Sequence, residues 1–237
     1  MAGLVACGPS KMELKEEADV FYGLGVVHLN EGNIPEALKE LTTAVEMYPG
    51  DETFHNALGL AYFAKKMHDD ALRHFKKAVE IKSDFSDART NLSAVYLEDG
   101  RWDEAISEAG KALENIFYNN PELAYLNRGR GYYEKAEYEE AAADFQRAVK
   151  ARPTYALAYY NLGMAYKRTE QYRKAKNAFS LLLRYSPNHV EGRYNLALIH
   201  LELQELDQAK SAFSDVIKKD PGGDLAQSSR SYLDLLK

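Results

Sequence analysis

Small and large apolar residues recur along the chain at a fixed interval, and polar residues fill most positions between them. One series of alanines marks an interval of 34 residues with a single longer step of 36: Ala37, Ala71, Ala105, Ala141, Ala175 and Ala209. Spacings of three and four residues between apolar positions predict amphipathic helices. A repeat of this length predicts helix pairs that stack on one another to bury their apolar faces.

The same marks divide the chain into repeats and two terminal segments. We predict two helices of about 13 residues in each repeat, joined by short turns. Residues 1–13 are predicted to form an N-terminal lipobox and tether, residues 14–221 six repeats, and residues 224–237 a helix that caps the last apolar face. The repeats are assigned approximately to residues 18–51, 52–85, 86–121, 122–155, 156–189 and 190–223.

This pattern resembles the tetratricopeptide repeat (TPR), which places small residues where two helices touch, aromatic residues at fixed offsets and a proline near the repeat end. Phenylalanine lies four residues after four of the alanines: Phe75, Phe145, Phe179 and Phe213. Prolines recur near repeat ends: Pro49, Pro153, Pro187 and Pro221. The resemblance implies an all-α fold, a right-handed superhelical solenoid of six tetratricopeptide helix pairs plus a C-terminal capping helix.

Composition and charge narrow the classes of partner. Hydrophobic residues make up 46% and charged residues 28% of the chain, which is typical of a globular protein. The formal net charge of −6 argues against a nucleic-acid partner, which normally requires a basic surface. The single cysteine excludes an intramolecular disulfide and a cysteine-based zinc cluster.

No group of residues in the sequence points to catalysis. The six histidines are scattered among the repeats, and His28 and His200 occupy a packing position that is tyrosine in the other repeats. Neither an HExxH motif nor a glycine-rich phosphate loop occurs. We therefore predict that the chain is not an enzyme and uses no cofactor, metal ion or small-molecule substrate.

The cysteine lies near the N-terminus in a short motif. Leu4, Val5, Ala6 and Cys7 resemble the bacterial lipobox, in which the cysteine receives a lipid and becomes the new N-terminus. A signal peptide needs a basic segment and an apolar stretch of about 7 to 15 residues, whereas six residues precede Cys7. We predict lipidation of Cys7 in the full-length product, and the glycine after it implies sorting to the outer membrane.

Resemblance to the tetratricopeptide family also implies where a protein partner binds. The family's concave groove is lined by fixed positions of each repeat's first helix. Carried over to this sequence, those positions are Tyr22, Val26, Leu29, Asn56, Leu60, Phe63, Asn91, Asn127, Arg130, Tyr133, Tyr160, Asn161, Met164, Tyr194, Asn195 and Leu198. The set is largely aromatic and aliphatic, and an exposed apolar stripe of this length marks a partner site.

Asparagine recurs at one groove position in four repeats: Asn91, Asn127, Asn161 and Asn195. An amide carries both donors and an acceptor, so the row either holds a peptide backbone or reflects a residue that is common at this position. The lysine–asparagine clamp with which cytosolic co-chaperones hold a C-terminal carboxylate has no match at the corresponding positions.

Length, repeat number and the N-terminal cysteine together resemble the type IV pilus pilotin lipoproteins, the group that includes PilF, PilW and Tgl. The two extra residues at the end of the third repeat, in the segment Phe117 to Pro121, resemble an extension found in that group. The resemblance implies a non-enzymatic chaperone on the periplasmic face of the outer membrane. It would bind the pilus secretin, or a peptide segment of it, and promote its localisation and multimer assembly.

Two other functions fit the same repeats. A soluble tetratricopeptide scaffold in the cytoplasm accounts for the helices and leaves Cys7 without a role. A periplasmic lipoprotein adaptor for envelope enzymes accounts for the lipobox without a secretin. A tolerated loop lengthening would equally explain the two-residue insertion.

Overall fold

The computed structural model describes residues 10–237, and the regular structure within that range is entirely α-helical. Its thirteen helices form six pairs and one C-terminal helix, which confirms the predicted all-α tetratricopeptide architecture. The chain divides into two compact halves, one ending at Asn119 and the other beginning at Asn120. The boundary coincides with the irregular step in the repeat interval.

The N-terminal half holds three helix pairs. Their bounds are α1 Lys11–Asn30, α2 Ile34–Met47, α3 Glu52–Ala64, α4 His68–Ile81, α5 Ser86–Glu98 and α6 Trp102–Glu114. Each helix packs against the next one along the chain, and the first helices α1, α3 and α5 also contact one another in order. The second helices therefore lie on the other side of this half from the row of first helices.

The C-terminal half holds three further pairs and the capping helix. Their bounds are α7 Pro121–Glu134, α8 Tyr138–Ala151, α9 Ala156–Arg168, α10 Tyr172–Tyr185, α11 Val190–Glu202, α12 Leu206–Lys219 and α13 Asp224–Leu235. The last helix packs on α12 and α11, where the Tyr232 ring stacks on Phe213 with 4.9 Å between ring centroids. Helix α13 thus covers apolar surface that the last pair would otherwise expose.

Within a pair, a small residue lets the two helices approach closely. A Cβ atom added to Gly59 would lie 2.7 Å from the ring of Phe75, and one added to Gly163 would lie 2.7 Å from the ring of Phe179. Both phenylalanine side chains are fully buried. The recurring small residue and aromatic residue seen in the sequence are therefore the two sides of one contact.

The turn inside each pair uses a left-handed residue at the same position, two residues after the first helix ends. Glycine fills it twice, as Gly32 and Gly100, and the other four turns use Lys66, Ala136, Glu170 and Gln204 with φ between 57° and 63°. The amide of the following residue then donates to a carbonyl in the last helical turn, as from Asn33 to His28 at 2.9 Å. This is the Schellman arrangement that ends a helix.

Helix α1 begins at Lys11, earlier than the predicted tether allows. The Ser10 hydroxyl accepts a hydrogen bond from the Glu13 amide at 3.2 Å, and the Glu13 carboxylate accepts one from the Ser10 amide at 2.6 Å. This reciprocal capping box fixes the start of the helix. The ammonium group of Lys15 bridges to Asp51 at 3.0 Å, which ties these early turns to the segment before α3.

Candidate protein-binding face

The row of first helices in each half positions the residues that the sequence assigns to a partner groove. In the N-terminal half these helices are α1, α3 and α5, and in the C-terminal half α7, α9 and α11. Nearly all of the sixteen residues are half-buried, so each keeps some surface for a partner. The exceptions are Arg130, which is exposed, and Asn127 and Asn195, which are buried.

The face of the N-terminal half is apolar and mostly uncharged. Tyr22 stacks on the buried ring of Phe54 with 5.0 Å between centroids. Val26 and Leu29 pack with Tyr22 against one buried cluster, and Leu60 and Phe63 pack against the next. One side of each of these side chains packs against buried core residues, which fixes the position of the side that faces solvent.

One hydrogen bond crosses this apolar face. The Asn91 amide nitrogen donates to the Asn56 side-chain oxygen at 2.9 Å, which links α5 to α3. The two amides therefore already satisfy one of each other's groups. Their remaining donors and acceptor are available for a partner backbone.

The face of the C-terminal half is richer in tyrosine and carries cations. The ring of Tyr160 stacks on His189 with 5.0 Å between centroids, and Met164 packs beside it in the same apolar cluster. Tyr133 packs edge-on against Tyr138, at 5.1 Å. Exposed Arg130 adds a positive charge, so this face combines aromatic surface with a cation.

The asparagines of the C-terminal half are engaged within the protein. Asn161 donates to the backbone oxygen of Leu157 in its own helix at 2.9 Å. Asn195 donates to the Glu191 backbone oxygen at 2.9 Å, and its side-chain oxygen accepts from the Lys167 ammonium group, also at 2.9 Å. Because Asn127 and Asn195 are buried as well, these amides act first as internal supports of the helices.

Burial shifts the pKa of three groups on this face. It raises the pKa of Tyr133 and of Tyr160, so both phenols remain protonated hydrogen-bond donors at neutral pH. It lowers the pKa of Lys167, an effect that the charge of Glu202 partly opposes. Lys167 was not among the selected groove residues, although it lies at a groove position of its repeat and bonds to Asn195.

The loop after α6 contains a feature that the sequence pattern only partly indicates. Ile116 and Phe117 are 86% and 82% exposed, values that only Leu235, also at 82%, approaches among bulky apolar side chains of the described residues. They border a cavity of about 680 Å³ that Arg89, Lys111 and Glu114 also line. The irregular step in the repeat interval marks this segment, but only the structure shows that its apolar side chains face solvent.

Other predicted features lie partly outside the described residues. Cys7, the predicted lipidation site, is among residues 1–9, which the structure does not describe. Across residues 10–237, no three histidine, cysteine or acidic side chains gather in a way that suits a metal ion. Within that same stretch, every helix is too short or too polar to cross a membrane.

Family comparison agrees with the repeat pattern. Models of the tetratricopeptide repeat match residues 22–84, 160–224 and 62–126, and a TPR repeat model matches residues 129–170. Hsp70-Hsp90 organizing protein 1 of Arabidopsis thaliana is 33% identical over 101 residues, 39% of this chain and 18% of that protein. Stress-induced-phosphoprotein 1 of Caenorhabditis elegans is 26% identical over 165 residues, 56% of this chain and 52% of that protein. The chain therefore spans only part of the length of these relatives.

Solved structures show the same fold over most of the chain. PilF of Pseudomonas aeruginosa superposes with a TM-score of 0.83 at 18% identity, covering 92% of this chain and 99% of that one. PilW, a widely conserved type IV pilus biogenesis factor, gives 0.81 at 19% identity and covers 89% of this chain and 97% of that one. YrrB, a TPR protein with an unusual peptide-binding site, gives 0.67 at 20% identity, covering 81% and 97%. With one tetratricopeptide model matching more than half of its residues, this chain belongs to the tetratricopeptide repeat family.

Proposed function

We propose that this protein is a pilotin, a lipid-anchored chaperone that binds the type IV pilus secretin and promotes its outer-membrane localisation and multimer assembly. The observation that carries the proposal is the apolar row on the N-terminal half: Tyr22, Val26, Leu29, Leu60 and Phe63. The similarity in fold to PilF and PilW, over nearly the full length of each, supports assigning that row to pilus assembly.

The chemistry of the face suits a segment of a membrane-protein precursor. These apolar side chains pack against the buried clusters and form a continuous surface, and a few well-packed anchors usually supply most of the free energy of binding. We expect a ring subunit before assembly to expose apolar surface that the interface between subunits later buries. Covering that surface until assembly is the task that an apolar groove performs best.

A lipid attached to Cys7 would hold the proposed groove close to the membrane surface. Anchoring in one leaflet raises the effective concentration of a bound subunit at the membrane without any added contact. A single chain gives only marginal membrane binding, whereas lipoprotein modification supplies several chains. The proposed anchor and the proposed groove thus act on the same step, delivery of subunits to the membrane surface.

The test is the SDS-resistant multimer of the secretin in cells that lack this protein. We expect the multimer to disappear in the deletion strain and to return with the unaltered gene. The Leu60→Ala/Phe63→Ala variant should fail to restore it, since both side chains present apolar surface. A variant with two exposed charges of α8 removed, Glu139→Gln/Glu140→Gln, should restore it fully.

Two results would contradict the proposal. Multimer formation at the normal level in the deletion strain would make the chain a different scaffold, such as an envelope adaptor. Restoration by the Leu60→Ala/Phe63→Ala variant, at equal protein level and with an unchanged melting curve, would remove the groove from the mechanism. Cys7→Ser provides the separate test of the anchor, because it should move the protein out of the membrane fraction.

A further inference from the structure

The first helix carries an exposed apolar stripe on the side away from the groove. Val20, Leu24 and Val27 are 62%, 47% and 52% exposed. Their spacing of four and three residues places them on one line along α1. Tyr22, Val26 and Leu29 point to the opposite side of the same helix, so the stripe is separate from the proposed groove.

The equivalent positions are buried in the following repeats of the same half. In α3 they are Phe54, Leu58 and Ala61, none more than 2% exposed, and they pack against α2. In α5 they are Ala88, Leu92 and Val95, none more than 3% exposed, with Leu92 and Val95 packed in the cluster that includes residues of α4. The stripe on α1 is therefore the surface that inner repeats bury against a preceding second helix. No described helix precedes α1.

The charged residues at the two ends of the stripe indicate which kind of helix can pack on it. The line continues into carboxylates at both ends of the apolar part, at Glu13 and Glu17 on one side and Glu31 on the other. The basic side chains of this helix lie elsewhere: Lys15, for example, turns toward Asp51. A helix that covers the stripe must therefore carry apolar residues in its middle and cations toward its ends.

A second copy of this chain does not meet that requirement. Two α1 helices packed antiparallel would bring Glu17 of one copy toward Glu31 of the other, and like charges at such a contact are unfavourable. The opposite end of the chain offers no complement, because the exposed side of α13 is largely polar, with Gln227, Arg230 and Asp234. An anionic lipid surface is disfavoured by the same carboxylates.

We propose that the stripe formed by Glu13, Glu17, Val20, Leu24, Val27 and Glu31 binds a basic amphipathic helix of another protein. That helix lies on α1 as the second helix of a repeat lies on the next first helix, and it completes the packing that α3 and α5 obtain within the chain. The site is independent of the groove, so the protein can hold one partner on each side of α1.

A peptide with the sequence of α10 is the probe for this site. Residues 172–185 form a second helix with four basic side chains, Arg173, Lys174, Lys176 and Arg184, and no acidic one. The matched control is a peptide of residues 138–151, helix α8, which occupies the same place in its repeat but contains Glu139, Glu140 and Asp144. Both peptides are end-blocked, fluorescently labelled and titrated with the full chain while fluorescence anisotropy is recorded.

We expect the α10 peptide to bind at least about tenfold more tightly than the α8 peptide. Leu24→Gln should weaken its binding about tenfold, the effect of losing one buried apolar anchor. Met12→Gln is the matched control variant, because Met12 is 71% exposed on the same helix but off the stripe, and it should leave binding unchanged. Glu17→Lys/Glu31→Lys should reverse the preference between the two peptides.

Several results would overturn the proposal. These are no binding of the α10 peptide up to about 1 mM, equal binding of the two peptides, or binding that Leu24→Gln does not change. Concentration-dependent dimerisation in sedimentation, lost in Leu24→Gln, would assign the stripe to a second copy instead. The groove variant Leu60→Ala/Phe63→Ala should bind the peptide normally, so failure here and failure of the proposed function are distinguishable.

Discussion

At the scale of single residues, the close contact within a helix pair depends on the absence of a side chain at one position. Gly163 faces the ring of Phe179, whereas Gly23 lies on an exposed part of α1 with no neighbouring atom within 4 Å of an added Cβ. Both glycines are inside helices. The two positions therefore separate the cost of steric overlap from the helix preference of the new residue.

Gly163→Val should lower the free energy of unfolding by at least about 2 kcal/mol, because the branched side chain overlaps a buried ring. Gly23→Val should leave it within about 0.5 kcal/mol, since valine is a slightly better helix former than glycine. Gly163→Ala should have a smaller effect, as Ala197 occupies the same position opposite Phe213. Urea unfolding of the three variants measures these differences, and equal midpoints for the two valine variants would contradict the packing argument.

A pair of histidines gives the N-terminal half a dependence on pH. The Nε2 atom of His55 lies 3.1 Å from the Pro49 carbonyl oxygen, which can only accept, so that nitrogen carries a proton. The Nδ1 atoms of His55 and His74 are 3.0 Å apart, so in the neutral pair His74 donates to His55. Burial, together with the nearby charge of His55, lowers the pKa of His74 to about 4, and burial also lowers the pKa of His55.

The pKa of His74 is lower in the folded state than its value of about 6.5 in the unfolded chain, so protonation of this residue favours unfolding. The contribution is fully present above pH 6.5 and is lost as pH falls toward 4. We expect the free energy of unfolding to fall by about 1–2 kcal/mol over that window, a value reduced for partial solvent exposure. In His74→Phe the fall should be shallower than in the unaltered chain, and Lys76→Gln, a change on the same helix that does not titrate there, should keep the original slope.

At the scale of the helix pair, one repeat replaces an apolar contact with an ion pair. Arg128 stands where each of the other five repeats has leucine. Its Nε atom donates to the Asp144 carboxylate at 2.6 Å. Asp144 is 1% exposed and also accepts from Arg147 at 2.7 Å. The next repeat has Leu162 and Ala178 at the positions equivalent to Arg128 and Asp144. These two residues therefore show which apolar pair can replace the ion pair.

Arg128→Leu alone should destabilise the chain by about 3 kcal/mol, because it leaves a buried carboxylate with one remaining cation. Arg128→Leu/Asp144→Ala, which copies the next repeat, should recover most of that loss. Thermal unfolding by circular dichroism of the single and double variants tests this coupling. Additive effects, with the double variant the least stable of the set, would show that the pair contributes no mutual stabilisation.

At the scale of the whole molecule, stacked repeats are stabilised mainly by their neighbours. The end of the C-terminal half relies on α13, whose Tyr232 stacks on Phe213. A chain that stops at Gly223 should therefore lose amide-exchange protection chiefly in α11 and α12. Protection in α1 to α6, which form the other compact half, should stay the same. A uniform loss across all helices would instead show that the chain unfolds as a single cooperative unit.

How much of this follows from sequence differs by kind of interaction. The helix pairs were predictable because a small residue facing a phenylalanine ring recurs at the same offset in four of the six repeats. The start of α1 was not predictable from the repeat, because the reciprocal hydrogen bonds between Ser10 and Glu13 are a local interaction that does not recur at the repeat interval. The exposure of Ile116 and Phe117 was also unpredictable, because the two extra residues give this loop no equivalent in the other repeats.

The groove shows the same division. Family positions identified side chains on the row of first helices, but they did not reveal that Asn127 and Asn195 are buried. Nor did they indicate that Asn195 is held by Lys167, which depends on how far a lysine side chain reaches between neighbouring helices. The periodic contacts can be read from the sequence of a single repeat, whereas a bond such as that from Lys167 to Asn195 joins residues of two neighbouring repeats.

The early start of α1 sets the length of chain between Cys7, the proposed lipid site, and the first helix. If the lipid is attached at Cys7, as proposed, only two residues separate it from the capping serine, a span of about 10 Å when fully extended. From Ser10 onward the chain is a capped helix, and its Lys15 side chain bonds to Asp51, so this part of the chain does not act as a flexible linker. With the lipid at Cys7, helix α1, which carries the exposed stripe, would start within about 10 Å of the anchored cysteine, so a partner of that stripe would be bound close to the membrane surface.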